Sequence, residues 1–205
     1  TVTNTSTPTL TPTPTAFGGG AGRIIFSSNY STRNGGVFVI NSDGTGLTNI
    51  ASYETSHRIL SLSPNGNKLV VAYRWTGGTN YAVYVLSTDG ENLMNLPHIS
   101  SLDSFYVKWS SDSKKFVAGS RIYDTDSGIS IEIPNYRSVI DFLDENKVVF
   151  NGVDQKGDEE IYIMNIDGTE LVNLTKNQGR DSLIALSPNR SKIAFYSGRD
   201  GTRGI

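Results

Sequence analysis

The chain contains no cysteine, which excludes a disulfide framework, a thiolate nucleophile and a cysteine-ligated zinc site. It has no basic block: 18 lysines and arginines against 20 aspartates and glutamates leave a formal charge of −2. A nucleic-acid partner would need a basic stripe, so that class is set aside. No apolar run reaches the length of a membrane-spanning helix. Histidine is scarce, with His57 and His98 the two in the chain. Neither lies in a His-Glu-x-x-His zinc motif, and no Gly-x-Ser-x-Gly nucleophile elbow occurs. Both histidines read as ordinary loop residues. On these grounds no catalytic residue, metal site or cofactor is expected.

What is present divides into two materials. Residues 1–22, TVTNTSTPTLTPTPTAFGGGAG, carry no charge and place threonine at every odd position from Thr1 to Thr15. Pro8, Pro12 and Pro14 favour extended polyproline II, so this stretch reads as a Thr/Pro/Gly-rich disordered linker unable to bury a core. Tethers of this composition suit a spacer between an exported domain and an anchor. The chain opens on Thr1 rather than Met, so a signal peptide or anchor upstream is compatible with it. Membrane contact is expected only through such an anchor.

Residues 23–205 repeat themselves. The Asp-Gly pairs at Asp43, Asp89 and Asp167 are spaced by 46 and then 78 residues, about one and two copies of a period near 45. A degenerate copy, YDTDSGISIEI, fills the gap at Asp126. A second element keeps the same phase in LSLSPNGNKLVVAY, VKWSSDSKKFVAGS, IDFLDENKVVFNG and IALSPNRSKIAFYS, with Lys68, Lys115, Lys147 and Lys192 marking one point in each.

The apolar segments are short, β-branched or aromatic, and bounded by Gly, Asn, Asp and Ser, which excludes helices and reads as strands. Each repeat supplies four; in the second they are expected over 59–63, 69–73, 81–86 and 93–96. KLVVAY is apolar at successive positions, as expected of a strand covered on both faces. Four-stranded antiparallel units stacked radially make a β-propeller. The Ser63-Pro64-Asn65-Gly66 stretch suits a type I turn between first and second strands. The Asp-Gly pairs suit tight corners between third and fourth. Asp167 has only Asn165 and Glu170 nearby, too few oxygens for a calcium loop. The acidic run DQKGDEE at 154–160 reads as an exposed hairpin tip, and Arg121, Asp124 and Asp126 as solvated turn residues.

SPNGNKLVVAY and SPNRSKIAFYS resemble the Ser-Pro-Asp-Gly-x-x-Ile-Ala-Phe element of TolB-type propeller repeats, and IYIMNIDGTELVNLT is similar to that family's Asp-Gly element. The resemblance covers residues 23–205. It departs from the family pattern at Asn65 and Asn189, where Asp is usual, and at Ser113 and Arg190, where Gly is usual. The expected fold is all-β, a propeller of four-stranded blades. About four blades are present, with three full blades visible and partial ones at each end. Because the last copy stops before its third strand, the chain is expected to be a fragment of a larger propeller.

Comparison of the copies separates positions the blade needs from positions free to vary. Leu62, Trp109 and Leu186 match, as do the lysines and the Asp-Gly corners. The residues ahead of each first strand do not: His57 and Arg58, Ser104 and Phe105, Tyr136 and Arg137, Asp181 and Ser182. In a propeller these positions surround one mouth of the central channel, and a varied polar and aromatic rim suits recognition of a peptide or protein. The expected function is therefore a non-catalytic propeller module that binds protein or peptide. The linker and the resemblance imply an extracytoplasmic setting, the periplasm or cell surface of a bacterium. The alternatives are the gating propeller of a prolyl oligopeptidase-type peptidase and the extracellular sensor of a membrane receptor or kinase. Carbohydrate is a further candidate ligand, through stacking on Trp75, Tyr81 or Tyr84.

Overall fold

The computed structural model describes residues 22–28, 35–53, 57–74, 81–99, 106–199, 201 and 204. Residues 1–21 of the linker, Trp75, Ser104 and Phe105 lie outside the described residues, as do the side chains of His57 and His98. The described residues form five antiparallel sheets in which strands consecutive in sequence are neighbours in space. Sheet 1 holds β1 (Arg23–Ser28), β2 (Gly35–Asn41) and β3 (Thr48–Tyr53). Sheet 2 is β4 (His57–Leu62), β5 (Lys68–Arg74), β6 (Tyr81–Ser87) and β7 (Asn92–Ile99). Sheet 3 is β8 (Val107–Trp109), β9 (Lys115–Ala118), β10 (Arg121–Asp124) and β11 (Ser130–Glu132). Sheet 4 is β12 (Tyr136–Phe142), β13 (Lys147–Val153), β14 (Glu159–Asn165) and β15 (Val172–Asn173). Sheet 5 has β16 (Asp181–Leu186) and β17 (Ile193–Ser197). Among the described residues, then, three sheets have all four strands, and the outer two hold part of a set.

The sequence KLVVAY explains why the sheets stack. Along β5, side chains alternate between faces: Leu69 and Val71 pack on Val37, Val39 and Ile50 of sheet 1. Val70 and Ala72 pack on Trp109, Phe116 and Tyr123 of sheet 3. The pattern shifts along one sheet at β9, where Phe116 and Ala118 face sheet 2 while Val117 joins Phe142, Phe150 and Met164 of sheet 4. Aromatic rings reinforce these layers; Phe116 stacks on Tyr123 with centroids 5.0 Å apart, and Phe150 on Tyr162 at 5.7 Å. Tyr84 is buried in the layer between sheets 1 and 2, as packing rather than as a stacking platform.

The corners do what the Asp-Gly spacing predicts. Asp43 Oδ1 accepts both the backbone N–H and the hydroxyl of Thr45, at 2.9 and 2.7 Å, and Asp167 treats Thr169 identically at 2.9 and 2.6 Å. These hydroxyl bonds, then the backbone ones, lower the pKa of both carboxyls. Gly44 and Gly168 take φ of 84° and 88°, which closes the turn without a Cβ penalty. Asp89 differs: its carboxylate pairs with Arg23 of sheet 1 at 3.1 Å. Lys68, at the start of β5, likewise reaches the corner of sheet 3, donating to Thr125 Oγ1 at 2.6 Å and Asp126 at 3.2 Å. Lys115 and Lys147 instead close on their own sheets, pairing with Asp124 and Glu170.

Two sequence expectations are corrected here. The run at 154–160 is exposed only at its centre; Glu159 and Glu160 are buried at the start of β14. Asp126, Asp124 and Arg121 are bonded rather than merely solvated: Arg121 Nε donates to Ser130 Oγ, and Asp124 Oδ1 accepts the N–H groups of Asp126 and Ser127. Glu159 and Glu160 meet Arg180 and Thr175 of the segment leading into sheet 5, which a one-dimensional pattern does not display; the bonds of Asp124 and Arg121 close within their own sheet.

Candidate functional site

The first strands of sheets 2 to 5 touch one another in series, β4 on β8, β8 on β12 and β12 on β16, and so line the inner wall of the assembly. Their backbones share an irregularity. Leu60 in β4, Ile140 in β12 and Ile184 in β16 are each skipped in the pairing with the second strand. A bulge at this point bends the strand and changes which way the next side chain is aimed. Immediately after it come Ser61, Asp141 and Ala185, paired with Val70, Val149 and Ala194. Lys108, paired with Val117, occupies the same register in the short, unbulged β8.

These four equivalent positions face the inner space. One cavity of about 530 Å³ is lined by Ser61, Leu62, Tyr106, Lys108, Asp141 and Arg190 among others. A second, of about 480 Å³, shares Tyr106, Lys108, Asp141 and Arg190 and adds Ser138, Asn151 and Ala185. Val107 and Trp109 pack into the layer between sheets 2 and 3, so the alternating Tyr106 and Lys108 are left for the cavity. Tyr106 is 62% exposed. Lys108 Nζ lies 5.8 Å from the centroid of that ring.

Asp141 holds the centre of the charge. Its Oδ1 accepts the backbone N–H of Phe142 at 2.8 Å and a hydrogen bond from Arg190 Nη1 at 3.3 Å, while Oδ2 lies 3.9 Å from Lys108 Nζ. Arg190 comes from the turn after β16, at the position filled by Gly66 in sheet 2. Both residues are in the left-handed region, Gly66 at φ 73° and Arg190 at φ 56°. An arginine there is strained by about 1 kcal/mol.

The described residues proposed from sequence as a rim stand at the opposite end of these same first strands. His57 and Arg58 open β4, Tyr136 and Arg137 open β12, and Asp181 opens β16; all stand inside the strands rather than ahead of them. Arg58 is exposed, Tyr136 packs against the layer between sheets 3 and 4, and Asp181 is fully buried. Asp181 Oδ2 takes Asn177 Nδ2 at 2.7 Å and Arg199 Nη2 at 3.0 Å. Arg137 and Arg180 converge on Glu159 Oε2 at 3.1 and 2.7 Å, beside a cleft of about 190 Å³. Ser182 donates to Glu159 Oε1 at 3.2 Å. On β12 and β16 this end is held by ion pairs and hydrogen bonds within and between sheets 4 and 5, whereas Arg58 on β4 is exposed.

Ser61, Lys108, Asp141 and Ala185 were missed by the sequence reading, although a signal was available. They directly precede Leu62, Trp109, Phe142 and Leu186, an apolar position that recurs, and they differ from copy to copy. A residue that varies beside one that does not, in the innermost strand, is the mark of a wall facing open space.

Among the described residues, no group of three or more His, Asp or Glu is placed to hold a metal ion. No protein-family model and no curated protein sequence matches the chain. Solved structures do. The β-propeller domain of the Trilobed protease from Pyrococcus furiosus superposes with a TM-score of 0.57 at 17% identity, covering 85% of this chain and 59% of that one. An uncharacterized protein from Listeria monocytogenes gives 0.56 at 14% identity, over 87% of this chain and 60% of the other. A prolyl endopeptidase gives 0.55 at 11% identity, over 88% of this chain and 32% of that one. The chain thus spans about 60% of the length of the first two. Stacked four-stranded sheets, inward first strands and these likenesses agree: the chain has the β-propeller fold.

Proposed function

We propose that this chain is a binding propeller of an exported protein, which takes a peptide or protein segment against its inner wall rather than transforming a substrate. The observation that carries the reading is the contrast between surfaces. The three layers joining sheets 1 to 4 are apolar, whereas the inner wall carries Ser61, Tyr106, Lys108, Ser138, Asp141 and Arg190 around two adjoining cavities. An exposed aromatic beside convergent polar groups is the usual composition of a recognition site. Export is supported by the Thr/Pro-rich composition of residues 1–22.

The test is selection of a displayed random 12-residue peptide library on the immobilised chain, followed by fluorescence polarisation with the enriched peptides. Binding that falls at least tenfold in Tyr106→Ala supports the reading. Failure to enrich any peptide, or binding indifferent to Tyr106, overturns it.

A further inference from the structure

The inner wall carries an imbalance of charge that the fold does not require. Lys108, Asp141 and Arg190 come from three different sheets and meet at one point. Two cations face one carboxylate, so the cluster has a net charge of +1 at neutral pH. The cations are 40% exposed and Asp141 is 22% exposed, all toward the cavities.

The donors are far from saturated. Among the described residues Arg190 bonds through Nη1 to Asp141 alone, and the other edge of its guanidinium fork has the geometry that grips a carboxylate with two parallel bonds. Lys108 Nζ is 3.9 Å from Asp141, beyond hydrogen-bond length, and it donates no hydrogen bond to any described residue. Tyr106 provides an exposed ring beside it.

The turn that carries Arg190 supplies a further observation. Gly66 occupies the corresponding turn position in sheet 2, and Arg190 holds the same left-handed conformation at φ 56° despite its Cβ. Ser113 takes the same conformation at the equivalent turn of sheet 3, φ 62°, so the turn imposes the left-handed backbone; what is particular to sheet 5 is that a long cationic side chain occupies the position and reaches Asp141. A surface ion pair to Asp141 is too weak to be the reason for that side chain by itself. A guanidinium held ready for a second anion is a better one.

We infer that Lys108 and Arg190 form a carboxylate subsite, which receives an aspartate or glutamate side chain of a bound peptide while an adjacent apolar residue of that peptide lies on Tyr106. Asp141 acts as an internal stand-in: it keeps the two cations in place and competes with the incoming carboxylate. The inference rests on the peptide-binding reading above and adds its chemical class.

The test compares three fluorescein-labelled 12-residue peptide pools with the full chain in low salt. One pool has fixed Asp and Glu positions, one has Asn and Gln there, and one has Lys. The acidic pool is expected to bind at least tenfold more tightly than the amide pool. Lys108→Gln and Arg190→Gly should each remove that preference. Asp141→Asn should strengthen binding of the acidic pool about threefold or more, since it removes the competitor yet keeps an acceptor for Phe142 N–H. A gain of binding cannot come from a misfolded protein, so this variant keeps the test decisive if another fails to fold. Equal affinity for acidic and amide pools overturns the carboxylate subsite and leaves the peptide reading standing. No binding by any pool overturns both. Binding of galacturonate oligomers in place of peptides would also overturn it, because the carboxylate would then belong to a polysaccharide.

Discussion

The Arg180 guanidinium lies 2.7 Å from the Glu159 carboxylate, joining the segment that leads into sheet 5 to the third strand of sheet 4. Glu159 has 7% of its side chain exposed, whereas Arg180 keeps 62% and the second partner, Arg137, keeps 57%. The burial penalty therefore falls on the acid, and each arginine is a replaceable compensator. Arg137→Ala and Arg180→Ala should each destabilise by about 0.5–1 kcal/mol. Together they should cost about 3 kcal/mol, because the buried carboxylate is then left to Ser182. Urea unfolding of both single variants and the double variant measures the excess; simple additivity would show that Glu159 is better hydrated than its burial implies.

Acid should weaken the protein through its corners. Burial opposes the charge on Asp124, but the Ser127 N–H, the Lys115 ammonium and the Asp126 N–H outweigh it and hold the carboxyl at about 2, below the ordinary 3.8. The folded value is the lower one, so the unfolded chain takes up its proton first as pH falls. The stabilisation is complete above the unfolded value and is lost as pH drops from about 4 to about 2. After solvent screening Asp124 contributes on the order of 1 kcal/mol. Asp43, Asp112 and Asp167 are shifted in the same direction. Denaturation curves at descending pH should show this loss, and Asp124→Asn should flatten it.

Glycines at two kinds of position should respond differently. A Cβ on Gly152 would meet the Tyr162 ring at 2.8 Å and the Asn135 carbonyl oxygen at 2.9 Å, and that oxygen is fixed by the Val153 N–H. Gly152→Ala should destabilise by about 2–3 kcal/mol through overpacking. Gly66 has open space around its missing Cβ but a φ of +73°, so Gly66→Ala should cost about 1 kcal/mol from backbone strain alone. The ordering of the two thermal midpoints checks the geometry.

Arg190→Gly should be neutral or stabilising by up to about 1 kcal/mol. It relieves a left-handed arginine and gives up a partly exposed ion pair with Asp141. A clear loss of stability in thermal unfolding would mean that Arg190 is a structural tie between sheets 4 and 5 instead.

Much of the architecture was legible before any coordinates. The period near 45, the apolar runs and the two corner motifs determined that the chain forms four-stranded sheets covered on both faces. Each of these signals is local: alternation, turn chemistry and spacing act within one repeat, and recurrence shows that the solution is reused. The strands run longer than the apolar stretches suggest, His57–Leu62 and Asn92–Ile99 for example, because ladder pairing belongs to the backbone and extends through polar residues, with His57 opposite Tyr73 and Ile99 opposite Tyr81. The site was not legible in the same way. Whether Asp141 faces a sheet or the inner space depends on one skipped residue, Ile140, and a bulge leaves no composition signature. Whether Glu159 is a hairpin tip or a buried anchor depends on two arginines, 22 residues before it and 21 after. The sequence by itself determined the repeating sheet; only the tertiary structure decided which polar side chains meet, since that requires strands from different repeats to be brought side by side.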